Sequence, residues 1–184
     1  RQMCLRVRLY LWQGGLSFHG GLLGIVTAAI IISKLYKTTF FEISDLICVS
    51  APVGIFFGRI SNFINGELFG RPSNFLIGMK FPNADNQYRH PSQLYEAFLE
   101  GLLLFIILNF LIFKFKKLKN PGIISGVFLM LYGLFRFTVE FTREPDIQLG
   151  FVYHFFTMGM ILSLPMFLAG ILILVIKSNK NDTR

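Results

Sequence analysis

Five apolar runs alternate with short polar links along the chain, near residues 16–34, 43–65, 94–115, 121–141 and 154–176. Each holds about 20 residues, the length that a hydrocarbon core of about 30 Å demands of a helix. The pattern predicts an all-α, polytopic integral membrane bundle of about five transmembrane helices. No repeat or low-complexity stretch divides it. Residues 1–184 therefore read as a single transmembrane domain, with 1–11 an atypical N-terminal segment and 177–184 a cytoplasmic tail.

Composition agrees with the pattern. The chain is 53% hydrophobic, carries 22 Phe, and has only 15% charged residues, against about 25% in a soluble domain. Its net charge of +8 would raise the question of nucleic acid in a soluble protein. Here the basic residues sit mostly in short links, and no arginine-rich face with interleaved aromatics is present, so no nucleic-acid partner is expected. Cys4 and Cys48 form no CxxC or Cys/His pattern, which argues against a metal site or a disulfide framework. No cofactor is implied. The chain opens on Arg1 rather than Met, and reads as a fragment or a misread start with no visible signal peptide.

The basic links set an orientation. Lys34 and Lys37 follow the first run. Lys114, Lys116, Lys117 and Lys119 follow the third, and Lys177, Lys180 and Arg184 end the chain. With five spans these segments share one side, which the positive-inside rule makes the cytoplasm. The 66–93 and 142–153 links then face outward. Arg1, Arg6 and Arg8 run against this assignment.

On that frame the costly polar residues fall at one depth. His19 opens the first span, Arg59 and Asn62 close the second, Glu96 and Glu100 open the third, and Arg136 and Glu140 close the fourth. All seven lie in the outer third of the membrane, on four helices. Ionisable groups inside spans are costly and usually face an interior cavity. Arg59 and Asn62 are three residues apart and share a helix face. Tyr132, Arg136, Glu140 and Arg143 follow one helical stripe. Glu140 reads equally as a neutraliser of Arg136 or as a group that meets substrate. Glu96 reads first as an interfacial or structural carboxylate. His19 is either a proton carrier or a hydrogen-bonded structural histidine, and His90 and His154 read as structural. Two arginines with planar, two-pronged donors at one outward cavity suit a phosphodiester, and lipid headgroups are the nearest abundant source. No serine-hydrolase elbow, nucleotide-binding loop or HExxH motif occurs. A transporter or lipid-binding scaffold would use the same cavity without chemistry; the clustering at one depth near one face favours interfacial chemistry.

Five segments carry a resemblance. "WQGGLSFHGGLLG", "GRISNFINGELFGRPS", "RHPSQLYEAFLEG", "YGLFRFTVEFTREPD" and "MGMILSLPM" occur in that order. In these the chain resembles the bacterial prolipoprotein diacylglyceryl transferase family, from Trp12 to Ile176. The resemblance implies a seven-span fold that begins outside and ends in the cytoplasm, so a chain lacking the first two helices would keep that orientation. It implies a multi-pass protein of the bacterial inner membrane, with its active site toward the periplasmic face. It implies transfer of the diacylglyceryl group of phosphatidylglycerol to the lipobox cysteine thiol of a preprolipoprotein, with a thioether formed and glycerol 1-phosphate released. The partners would be phosphatidylglycerol, the preprolipoprotein signal peptide and the surrounding membrane lipid. By the same resemblance Arg59 binds phosphatidylglycerol, and Asn62, Gly70, Glu67, Arg136, Glu140 and His19 match other residues important to the family. For that reaction Arg59 and Arg136 would stabilise the departing phosphate, Asn62 would orient the headgroup, and His19 or Glu140 would take the thiol proton. The substrate supplies the thiol, so Cys48 is not expected to be catalytic. The segment before Trp12 departs from the family, and Met160 stands where a glutamine is expected.

Overall fold

The computed structural model of the protein describes residues 18–82, 84–144, 151–153 and 156–182. Helices stand at all five predicted places: α1 Phe18–Leu35, α2 Phe40–Ile64, a third beginning at Ser92 and ending at Phe115, α5 Ile123–Val139 and α6 Met158–Asp182. The stretches Phe40–Ile64, Ser92–Phe115 and Met158–Asn179 are long and apolar enough to cross a membrane; Gly20–Leu35 and Ile123–Val139 are apolar but shorter. The third is composite: α3 (Ser92–Glu96), a π turn (Ala97–Leu103), then α4 (Leu104–Phe115). Two details differ from the sequence expectation. Helix α6 runs on through the charged residues to Asp182, because a helix leaving the bilayer can satisfy its last carbonyls with water. A two-stranded antiparallel hairpin pairs β1 (Phe151–Tyr153), at the end of the predicted 142–153 link, with β2 (Phe156–Thr157), at the start of the predicted fifth span.

The chain divides into two compact units, Arg1–Ile43 and Ser44–Arg184. In the first, α1 ends with Tyr36 N–H and Thr38 N–H donating to the Ile32 and Ser33 carbonyls. Thr39 and Glu42 then exchange a side-chain to backbone pair of hydrogen bonds, a capping box that starts α2.

The second unit is held at its two ends by different chemistry. At one end Asp45, 1% exposed, accepts hydrogen bonds from the Gly122 and Ser125 backbone amides, at 2.7 and 2.8 Å, and from the Ser125 hydroxyl. A carboxylate of α2 thus satisfies the orphan donors at the start of α5 and complements its dipole. The link before α5 reverses through Lys116 and Gly122, both at positive φ. Beside this cap Leu104, Leu108 and Ile124 form an apolar core, with Cys48, Phe128 and Tyr132 packed on it. Helices α5 and α6 approach closely through small residues. A Cβ at Gly133 would lie 2.8 Å from the Ser163 carbonyl oxygen, and one at Gly170 would strike the Met130 backbone. Such contacts suit packing in lipid, where apolar side chains gain little by leaving the hydrocarbon. Likewise a Cβ at Gly101 would come within 2.7 Å of Phe56 Cβ, so Gly101 draws α2 against the π turn.

The 66–91 segment folds over the other end. Gly70 and Arg143 form a β-bridge, as do Pro72 with Arg89 and Met79 with Arg89. Phe81 is buried between Phe63 of α2 and Phe69. Arg89 donates to Asp85, to Glu144 and to the Gly70 carbonyl. The Arg89 guanidinium holds the Asp85 carboxyl below the usual carboxylate range, chiefly by hydrogen bonding.

Candidate functional site

The spacing of Phe56 and Arg59 on α2 places Arg59 one turn beyond the Gly101 contact, facing two carboxylates on the composite helix. Glu96 is the hub. Its Oε2 lies 2.9 Å from Arg59 Nε, and its Oε1 accepts from Arg136 Nη1 at 2.6 Å and from Arg143 Nη1 at 3.0 Å. Glu100, on the π turn, sits 3.7 Å from Arg136 Nη1 and 3.9 Å from Arg59 Nη2, and neither of its oxygens has a hydrogen-bond partner among the described residues. Both glutamates are fully buried. Arg136 Nη2 also lies 3.0 Å from Glu140 Oε2. Among the described residues, three guanidiniums therefore meet three carboxylates.

This is a costly assembly. Each ion loses several kcal/mol of hydration on burial, which only close pairing offsets. The π turn carrying Glu100 is of a kind that occurs mostly at functional sites.

Glu140 is held from a second side. Its Oε1 accepts from the Thr157 hydroxyl at 2.8 Å, and its carboxylate lies over Gly159, where a Cβ would sit 2.6 Å from Glu140 Cδ. The hairpin and the start of α6 thus fix the carboxylate that the Arg136 stripe projects. Arg143 lies past the end of α5, and its carbonyl accepts from Arg71 Nε at 2.8 Å. The folded link therefore positions the backbone of a residue whose side chain is in the cluster.

The structure brings together Arg59, Arg136 and Glu140 among the sequence-predicted residues. Asn62 is half-buried on the α2 face of Arg59, and its carbonyl accepts from the Glu67 amide at 2.9 Å. Glu67 is exposed, and its carbonyl accepts from the Gln93 side chain. Gly70 is buried with a steric constraint of its own: a Cβ there would strike the Thr142 carbonyl and lie 2.7 Å from that of His90. His90 contacts Tyr95 and Phe75. His19 lies in the first turn of α1, in the other unit, and its side chain falls outside the described residues, as does the whole of His154. Glu96, Glu100 and Arg143 complete the cluster without having been singled out as site residues. Their signal was stoichiometric: the buried arginines need acidic partners, and Glu96 and Glu100 are four apart on an otherwise apolar run.

The family model described as prolipoprotein diacylglyceryl transferase matches residues 5–176. The chain belongs to the prolipoprotein diacylglyceryl transferase family. Relatives named phosphatidylglycerol–prolipoprotein diacylglyceryl transferase include one from Rickettsia bellii, 52% identical over 164 residues, covering 89% of this chain and 62% of the relative. Another, from Rickettsia akari, is 54% identical over 159 residues, covering 86% of this chain and 61% of the relative. A third, from Rickettsia africae, is 55% identical over the same length. The chain spans about three fifths of the length of these curated relatives. All five segments that suggested the diacylglyceryl transferase family lie within the matched residues.

Proposed function

We propose that this chain carries the diacylglyceryl-transfer chemistry that its relatives' names describe. The observation that supports it most is the convergence of Arg59, Arg136 and Arg143 on buried Glu96 where two spans end. Glu96 takes Nε of Arg59, while Nη2 has only a long 3.9 Å contact to Glu100, so the Nη pair can offer two parallel bonds to a lipid phosphate. Arg59 is 19% exposed, against 15% for Arg136 and 9% for Arg143, so it is the most open of the three to an incoming headgroup. Asn62, on the same helix face, orients that headgroup.

The thiolate of a lipobox cysteine attacks the lipid glycerol carbon that bears the phosphate. The C–S bond forms, the C–O bond breaks, and the electron pair leaves on the phosphate of glycerol 1-phosphate. Fixed guanidiniums stabilise that growing charge without reorganising. The thiol proton goes to Glu140, whose carboxylate is held beside Arg136 by Thr157; His19 remains a candidate acceptor on its motif alone. The site lies toward the periplasmic face of the inner membrane, with the C-terminus cytoplasmic. No group of the protein is consumed, so no cofactor is needed.

The test is mass spectrometry of a lipobox peptide incubated with the full chain in vesicles containing phosphatidylglycerol. The expected result is a peptide heavier by one diacylglyceryl group, with the rate falling about 100-fold or more in Arg59→Lys, which keeps charge but loses the fork. Phosphatidylglycerol binding without a modified peptide would instead make the chain a lipid-binding scaffold.

A further inference from the structure

The 66–91 link carries an apolar tip that the cluster chemistry does not use. Phe75, Leu76 and Ile77 are consecutive and point outward: Phe75 is 68% exposed, Leu76 fully, and Ile77 51%. Three exposed apolar residues in a row are unfavourable in water and ordinarily mark an interaction surface.

The tip is built. Gly78 N–H donates to the Phe75 carbonyl at 2.9 Å, and Phe75 N–H to Ser73 Oγ at 3.0 Å. Below it Met79 and Arg89 exchange two backbone bonds of 2.9 Å, and Ser73 N–H donates to the Tyr88 carbonyl at 2.8 Å. The root is pinned where two spans end. Phe81 packs edge-on against Phe63 in the last turn of α2, while Ser92 and Gln93 in the first turn of α3 donate to the Leu68 and Glu67 carbonyls. The loop is thereby held in place relative to the end of α2 and the start of α3. Exposed apolar surface also continues past α2, through Ile64 and Leu68. Beside the tip, Lys80 Nζ lies 5.2 Å above the ring of exposed Tyr88. A cation and an aromatic ring with a polar end are the residues that mark a membrane–water boundary.

We propose that Phe75–Ile77 is an interfacial anchor, inserted into the headgroup and upper acyl region of the leaflet at which α2 ends and α3 begins. Its partner is the lipid bilayer. Insertion buries the apolar tip and holds the loop whose other side bridges to Arg143 through Gly70. This inference needs only the membrane fold, and stands apart from the transfer activity.

The experiment places a tryptophan at the tip. Trp12 is the chain's single tryptophan, so the full chain carrying Trp12→Phe and Leu76→Trp reports from residue 76 alone. It is reconstituted in phosphatidylethanolamine–phosphatidylglycerol vesicles. The expected result is blue-shifted emission, quenched by about half or more with lipids brominated high on their chains, as an interfacial depth of about 5–10 Å requires. Aqueous iodide should quench it weakly. Strong iodide quenching with no effect of brominated lipid overturns the proposal. So does protection that disappears as the protein is diluted with lipid, which would mean a second copy. Protection that appears only with added lipobox peptide would mean a peptide-docking surface and equally overturns it.

Discussion

Glu96 and Glu100 are four residues apart, equally buried, and differently held. Glu96 meets three guanidiniums at 2.6 to 3.0 Å, whereas among the described residues Glu100 has none closer than 3.7 Å and no hydrogen bond. Removing the charge of Glu96 leaves three buried cations short of their shared partner, a loss of about 3–5 kcal/mol. Removing that of Glu100 relieves a poorly paired carboxylate, and should change stability by less than about 1 kcal/mol. Glu96→Gln should therefore fail to accumulate as folded protein or melt far earlier in detergent, and Glu100→Gln should melt near wild type. Equal melting shifts would show that the hub is not Glu96. Gly159 gives a functional counterpart. An added methyl must push the Glu140 carboxylate off Arg136 and Thr157. If the chain carries the proposed transfer, Gly159→Ala should lower it by about 100-fold, the scale of an ångström misplacement, with the melting point little changed. Unaltered transfer would remove Glu140 from the chemistry. Link charge and span counting made Arg59 and Arg136 legible as groups at one depth. They left Glu96 ambiguous, because an acid one turn inside a span faces interface or interior depending on a rotation that one sequence does not reveal.

Elements were more legible than their irregularities. A 20-residue apolar run has few options in a bilayer, since every backbone group must be satisfied within the segment. That constraint is why α2, α5 and α6 fall close to their predicted places. It does not distinguish a π turn from an α turn, so Ala97–Leu103 was not foreseen. Of the Phe151–Thr157 hairpin, β1 was read as the end of the 142–153 link and β2 as the start of the fifth span, because strand and span residues are alike in composition. The cap on α5 was also invisible, because Asp45 and Ser125 are 80 residues apart. Losing a cap costs about 0.5–2 kcal/mol, and here two backbone amides and a hydroxyl lose a buried acceptor together. Asp45→Ala should thus destabilise by about 2–3 kcal/mol, and Asp45→Asn, which keeps one acceptor, by less. Reversible unfolding in mixed micelles measures both. Equal and negligible effects would mean that α5 is held by its packing on α6 alone.

At the scale of the molecule, the Asp45 cap and the arginine cluster lie at opposite ends of α2. Residues 45 and 59 are separated by about 21 Å of helix at 1.5 Å per residue. Asp45 binds the start of α5, and Arg59 shares Glu96 with Arg136 near its end, so α2 and α5 run in the same direction. The lysine-rich link at Lys114–Lys119 adjoins the capped end, and the 66–91 loop covers the other. Link charge and side-chain pairing are independent observations, and they put the same segments together. If basic links stay in the cytoplasm, the arginine cluster faces outward. Single cysteines test this directly in the full chain carrying Cys4→Ser and Cys48→Ala. The Cys48 change should be tolerated, because that thiol packs on the Leu104–Ile124 core far from the cluster. A cysteine placed by Gln87→Cys should react with a membrane-impermeant maleimide in intact spheroplasts. One placed by Lys116→Cys should react only after permeabilisation. Both positions lie on solvent-facing links, so failure to label either after permeabilisation would signal misfolding rather than topology. Labelling of Lys116→Cys alone in intact spheroplasts would invert the molecule, and would count against the outward-facing site of the proposed function.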